Sequence, residues 1–85
     1  MKIKICYFAK IREQLDLSEE QLALPDACDN TERLLEFLQA RGELWHQVFS
    51  SNQKVLKAVN HEIVNKNCVL NDGDEVAFFP PITGG

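Results

Sequence analysis

The chain has 85 residues, 45 % of them hydrophobic, and a formal net charge of −4. That length makes one domain the default, with a real core but little depth for a catalytic pocket. The acidic balance argues against nucleic acid as a partner; it suits solubility, or a basic surface on another protein. No apolar run approaches the roughly 18–20 residues that cross a membrane. The start, MKIKICYF, has no apolar h-region, so a cytoplasmic protein is expected.

Lys2 to Phe8 alternates with period two, the pattern of a strand. Ile3, Ile5 and Tyr7 share one face, read as the core; Lys2, Lys4, Cys6 and Phe8 share the other, where Phe8 is an apolar residue on a polar side. A helical turn is predicted over 9–15, with Ile11 and Leu15 turned inward. Leu17 to Leu24 reads as an antiparallel second strand, with Leu22 and Leu24 on one side. After a loop at 25–29, Asn30 or Asp29 is the expected N-cap of the main helix, and Asp29 with Glu32 suggests a capping box. Leu34, Leu35, Leu38 and Arg41 form its stripe, Phe37 widens it, and Gly42 stands where a C′ glycine ends a helix.

Leu44, Trp45, Val48 and Phe49 predict a second short helix, with Trp45 as a core plug rather than a ligand platform. Lys54–Asn60 reads as a strand apolar on both sides, Val55 and Val59 against Leu56 and Ala58, which predicts cover on both faces. A tight turn at 60–62 leads to a very short strand at Ile63–Val64. Val69–Leu70 reads as a brief strand, and Asn71–Asp74 as a β-turn rather than a calcium loop, since the closing Glu is missing. The last strand runs from Glu75 to Phe79, with Val76 and Phe78 facing opposite to Ala77 and Phe79. Cys6, Cys28 and Cys68 match no zinc spacing and read as free, mostly buried thiols. His46 and His61 read as ordinary surface or packing residues, so no metal site is expected.

Pro80 and Pro81 cannot extend a sheet ladder, because proline lacks the N–H. The expected organisation is therefore a domain over 1–79 and an extended, flexible tail over 80–85. Fully extended, Pro80 to Gly85 reaches roughly 20 Å at about 3.3–3.6 Å per residue. Gly84 and Gly85 have no Cβ, so another protein can close tightly around them, and the Gly85 carboxylate is the reactive group at the tip. No nucleophile–base constellation stands out, and no catalytic residue is assigned to this chain.

Strand, strand, helix, then three more strands with the last beside the first make an α+β β-grasp, a mixed sheet packed on one main helix. With a terminal diglycine this resembles the ubiquitin-like sulfur carriers. The run Val69 to Gly85, with Tyr7–Glu13 and Ala58–Asn60, looks like the small subunit of molybdopterin synthase. The resemblance implies no bound cofactor and a role spread over several partners. A ubiquitin-activating-like adenylyltransferase would use ATP to adenylate the Gly85 carboxylate. A sulfur donor enzyme would convert the adenylate to a thiocarboxylate. The large synthase subunit, in a heterotetramer with two of each chain, would accept the tail (Pro80, Pro81, Ile82, Thr83, Gly84, Gly85) and pass the sulfur to a cyclic pyranopterin phosphate. Alternatives of neighbouring kinds are a thiamine-pathway sulfur carrier, a ubiquitin-like modifier joined to lysines, and a binding module with an inert tail. Phe8 and Phe79, out of place on a polar face, are the expected docking anchors, with Ile63 at their edge and Arg12 at the rim.

Overall fold

The first strand, β1 (Lys2–Tyr7), buries every second side chain. Ile3, Ile5 and Tyr7 enter the core, and Lys2, Lys4 and Cys6 point the other way. This is the period of a strand covered on one side. The computed structural model describes residues 1–50 and 54–81. Along them follow α1 (Ala9–Leu15), β2 (Glu19–Ala23), α2 (Thr31–Gln39), α3 (Glu43–Phe49), β3 (Leu56–Val59), β4 (Glu62–Val64) and β5 (Glu75–Phe79). The sheet order is β2-β1-β5-β3-β4. β1 and β5 are parallel; every other neighbouring pair is antiparallel.

The core joins Ile3, Ile5, Tyr7, Val76 and Phe78 of the sheet to Ile11 and Leu15 of α1, Leu34 and Leu38 of α2, and Val48 of α3. Phe49 lies edge-on to Phe78 with centroids 5.1 Å apart, and Tyr7 stacks on Phe78 at 6.1 Å. The helices therefore cover one face of a mixed sheet, which is the ubiquitin-like β-grasp. Strand parity falls as the alternation predicts, and α1 has the predicted bounds.

Long-range hydrogen bonds change several local expectations. The N-cap of α2 is Asn30, whose Oδ1 accepts from Arg33 N at 2.9 Å. No Asp29–Glu32 capping box forms. Glu32 N donates instead to Asn67 Oδ1 at 3.0 Å, and the buried Thr31 hydroxyl donates to the same oxygen at 3.1 Å. Thr31 N donates to Cys68 O and Leu70 N to Asp29 O, so residues 67–70 tie down the start of α2 rather than forming a strand there. Only an isolated bridge, Asn30 to Val69, remains of the expected Val69–Leu70 strand. At the other end of α2, Gly42 is not a C′ stop. With φ 154° it is the N-cap of α3, and its carbonyl accepts from His46 N at 2.9 Å.

Arg41 leaves the apolar stripe and joins a polar cluster. Its guanidinium makes two bonds to Glu20, at 2.8 and 2.9 Å, and lies 4.6 Å from the Trp45 ring. The Tyr7 hydroxyl donates to the same Glu20 carboxylate at 2.8 Å. Burial acts to raise the Glu20 pKa, but hydrogen bonds from Arg41 and Tyr7 and the Arg41 charge outweigh it and hold the carboxyl below its ordinary value. Burial and the bond to Glu20 push the Tyr7 phenol up, which keeps it neutral. The cluster pins the α2–α3 corner to the β1–β2 edge.

The predicted turns are present. Asn60 and His61, with φ of 50° and 70°, close the β3–β4 hairpin. Asn71–Asp74 closes through Asp74 N to Asn71 O at 3.0 Å, with Gly73 at φ 87°. The three cysteines are unpaired and half-buried rather than buried. Among the described residues no helix is long and apolar enough to cross a membrane.

Candidate docking face and the root of the tail

The side of the sheet away from the helices is not uniformly polar. Register aligns Cys6 with Ala77, Ala77 with Ala58, Ala58 with Ile63, and Leu56 with Phe79. All of these residues have the parity opposite to the core set. Phe8 N donates to Phe78 O at 3.0 Å, which carries the β1–β5 register one step past Tyr7 and Phe78 and sets Phe8 level with Phe79. The result is a patch of Phe8, Leu56, Ala58, Ile63, Ala77 and Phe79 across four strands.

Phe8 is 48 % exposed and Ile63 69 % exposed; Phe79, Leu56 and Ala77 are half-buried. Ala58 is buried, flanked by Ala77 and Ile63. Exposed Phe8 and Ile63 beside the half-buried Phe79, on a sheet face that no described helix covers, make this face the candidate interaction site. The two apolar sides of β3 had suggested cover on both faces. The side carrying Leu56 has none from the described residues. Sequence reasoning placed Phe8, Phe79 and Ile63 here but did not assign Leu56, Ala58 and Ala77 to the patch. Their alternation was visible; the strand order that unites them was not.

Backbone geometry presents Phe8. It ends the strand in an extended conformation, φ −122° and ψ 153°, as the N-cap of α1. Ala9 then takes φ 53°, a left-handed conformation that costs an ordinary residue about 1–2 kcal/mol. The sharp turn sends α1 away while Phe8 stays on the face. Arg12 is exposed on α1, one turn from Phe8, with Arg12 N donating to Phe8 O at 3.4 Å.

The other half of this face is polar. Lys4 Nζ lies 3.0 Å from Glu19 and 3.9 Å from Glu75, and His61 Nε2 lies 3.6 Å from Glu75. The bond to Glu19 and the surrounding negative charge raise the Lys4 pKa. Cys6 sits between the two halves. Burial pushes its thiol up and the Glu75 charge adds to this, so it is a poor thiolate nucleophile. Among the described residues no group of three or more His, Cys, Asp or Glu is placed to hold a metal ion.

At the apolar end of the face β5 finishes at Phe79, and the chain passes to Pro80 and Pro81, both half-buried. Ile82, Thr83, Gly84 and Gly85, the remainder of the predicted tail, lie outside the described residues. The apolar patch therefore adjoins the root of the diglycine segment.

These features define a ubiquitin-like β-grasp domain whose last strand leads into a Pro-Pro and diglycine terminus. The ThiS family profile matches residues 5–85, and the chain belongs to the ThiS family. It is 37 % identical over 83 residues to the "Molybdopterin synthase sulfur carrier subunit" of Escherichia coli (strain K12), a match covering 98 % of this chain and 99 % of that protein. Among solved structures, the "Putative molybdopterin converting factor, subunit 1" of Pyrococcus furiosus superposes with a TM-score of 0.77 at 33 % identity, covering 96 % of this chain and 99 % of its own. A chain of the protein–protein complex of subunits 1 and 2 of molybdopterin-converting factor from Helicobacter pylori matches with a TM-score of 0.67, full coverage of both chains and 23 % identity. That last likeness is one of fold.

Proposed function

We propose that this chain carries sulfur for the synthesis of molybdopterin, as a subunit without catalytic groups of its own. The observation that carries the reading is 37 % identity to a sulfur carrier subunit over 83 residues, 98 % of this chain, in a domain whose open apolar face adjoins Pro80. The Gly85 carboxylate is the attachment point. A carboxylate resists nucleophiles because its charge and resonance oppose attack. Adenylation from ATP by a ubiquitin-activating-like enzyme supplies AMP as a leaving group. A sulfur donor displaces it and leaves a thiocarboxylate, ionised and nucleophilic at neutral pH. Inserted into the large subunit, the thiocarboxylate gives its sulfur to a cyclic pyranopterin phosphate.

Phe8 and Phe79 anchor the domain on that subunit, with Ile63 at the edge and Arg12 at the rim, while the segment from Pro80 to Gly85 reaches inward. The partner protein in the Helicobacter pylori complex supports a two-subunit arrangement. The activating enzyme must take hold of the same tail, so the same face serves both in turn. Gly84→Val tests the tip. It is expected to fold normally and to fail in activation or transfer, because a side chain obstructs a channel shaped to glycine. Full synthase turnover by Gly84→Val, or by a chain lacking Gly85, would overturn the proposal.

A further inference from the structure

Among the described residues, Ala9, Asp16, Asn60 and His61 have side chains on a left-handed backbone. Asp, Asn and His are the types that accept this conformation, and here each has a local reason for it. Asp16 caps the end of α1, and Asn60 and His61 make the β3–β4 turn. Ala9 is the exception. It has no polar side-chain atom to bond within the turn, and its φ of 53° crowds the β-carbon against the backbone.

Folding alone favours glycine at position 9. The turn needs only a positive φ, which glycine adopts freely. Helix propensity does not argue for alanine, because Ala9 opens α1 with a φ outside the helical range. Packing does not argue for it either: Ala9 is exposed and is not among the side chains packed on the core. What sets Ala9 apart is its place. It follows Phe8 as Pro80 follows Phe79, and Phe8 and Phe79 are the level pair at the apolar end of the open face. The backbone is held there. Phe8 N donates to Phe78 O at 3.0 Å, and Phe8 O accepts from Ile11 N at 3.2 Å. The methyl group of Ala9 is thus exposed at a fixed position next to Phe8.

We infer that Ala9 is a contact residue of the docking face, on whose methyl group an apolar partner surface closes beside Phe8. The inference rests on the proposed function for the partner, the large synthase subunit, and adds a contact at the root of the tail. A larger side chain at this corner would hold the partner off, and glycine would leave a gap.

The test compares stability and binding in the full chain, by thermal melts and by titration against the purified large subunit. Ala9→Gly is expected to melt a few degrees above the parent, because the strain is relieved. It should bind about fourfold more weakly, the worth of one buried methyl group. Asp16→Gly, which relieves the same backbone conformation at the other end of α1, should bind like the parent. In a Phe8→Ala background the loss from Ala9→Gly should persist. Parental affinity in Ala9→Gly, a lower melting point for it, or an equal loss in Asp16→Gly overturns the inference and leaves the proposed function standing. A loss that vanishes in the Phe8→Ala background also overturns it, because Ala9 then acts only by holding Phe8. Sulfur transfer read on the same samples separates the two readings. Binding without transfer by the parent chain overturns the proposed chemistry alone, and no binding by the parent overturns both.

Discussion

Tyr7 and Phe8 are neighbours in the chain, as are Phe78 and Phe79, yet each pair is divided between the two faces of one sheet. Tyr7 and Phe78 stack on each other beneath α3 and are 1 % exposed. Phe8 and Phe79 stand level on the opposite side, one half exposed and the other half-buried. The residue types are nearly the same, so chemistry does not separate them; pleat parity does. Aromatics on the helix side hold the domain together. Those on the open side are left over from folding and available for binding.

Substitutions on the two faces should therefore fail in different assays. Phe78→Ala removes a ring packed against Tyr7 and Phe49 and should cost about 3–5 kcal/mol. That is a large share of the stability of a domain this size. A denaturant melt with its midpoint near that of the parent would show that the core is not centred there. Phe79→Ala should leave the melt close to the parent and weaken binding to the large subunit by about 2 kcal/mol, with Phe8→Ala acting in the same direction. A Phe8→Ala, Phe79→Ala double variant that binds like the parent would remove the open face from the docking account.

A smaller effect is expected at the edge of the covered face. Glu20→Gln weakens the cluster with Arg41 and Tyr7 and should cost about 1–2 kcal/mol at neutral pH. The folded state holds the Glu20 carboxyl below its ordinary value, so the stability it supplies is full above that value and lost as pH falls through the folded one. The gap between parent and variant should thus narrow below about pH 4. Thermal melts across that range measure it; a gap that widens toward acid would mean that Glu20 is protonated in the fold.

The division between faces was legible because it rests on a period of two within single strands, at Lys2–Phe8 and Glu75–Phe79. What joins distant segments was not. The start of α2 is satisfied by Asn67, 35 residues along the chain from Glu32, and no local pattern announces such a bond. Arg41 lies on the helical stripe by spacing, but Glu20 and Trp45 draw it out of the apolar core. Gly42 carries a stop signal, and it serves α3 because a second helix begins at once. Pro80-Pro81 and Gly84-Gly85 suggested the chemistry proposed for the tail, whose last four residues lie outside the described ones, while the patch beside its root needed the strand order.

Single-turnover transfer tests the sulfur-carrier reading most directly. The chain is loaded with isotopically labelled sulfur at Gly85, freed of the activating enzyme and ATP, and mixed with the large subunit and the cyclic pyranopterin phosphate. Label moving into the pterin while intact mass shows the carrier returning to a plain carboxylate is the result predicted. A carrier that keeps its label, or that becomes joined through Gly85 to lysines of other proteins, would contradict it.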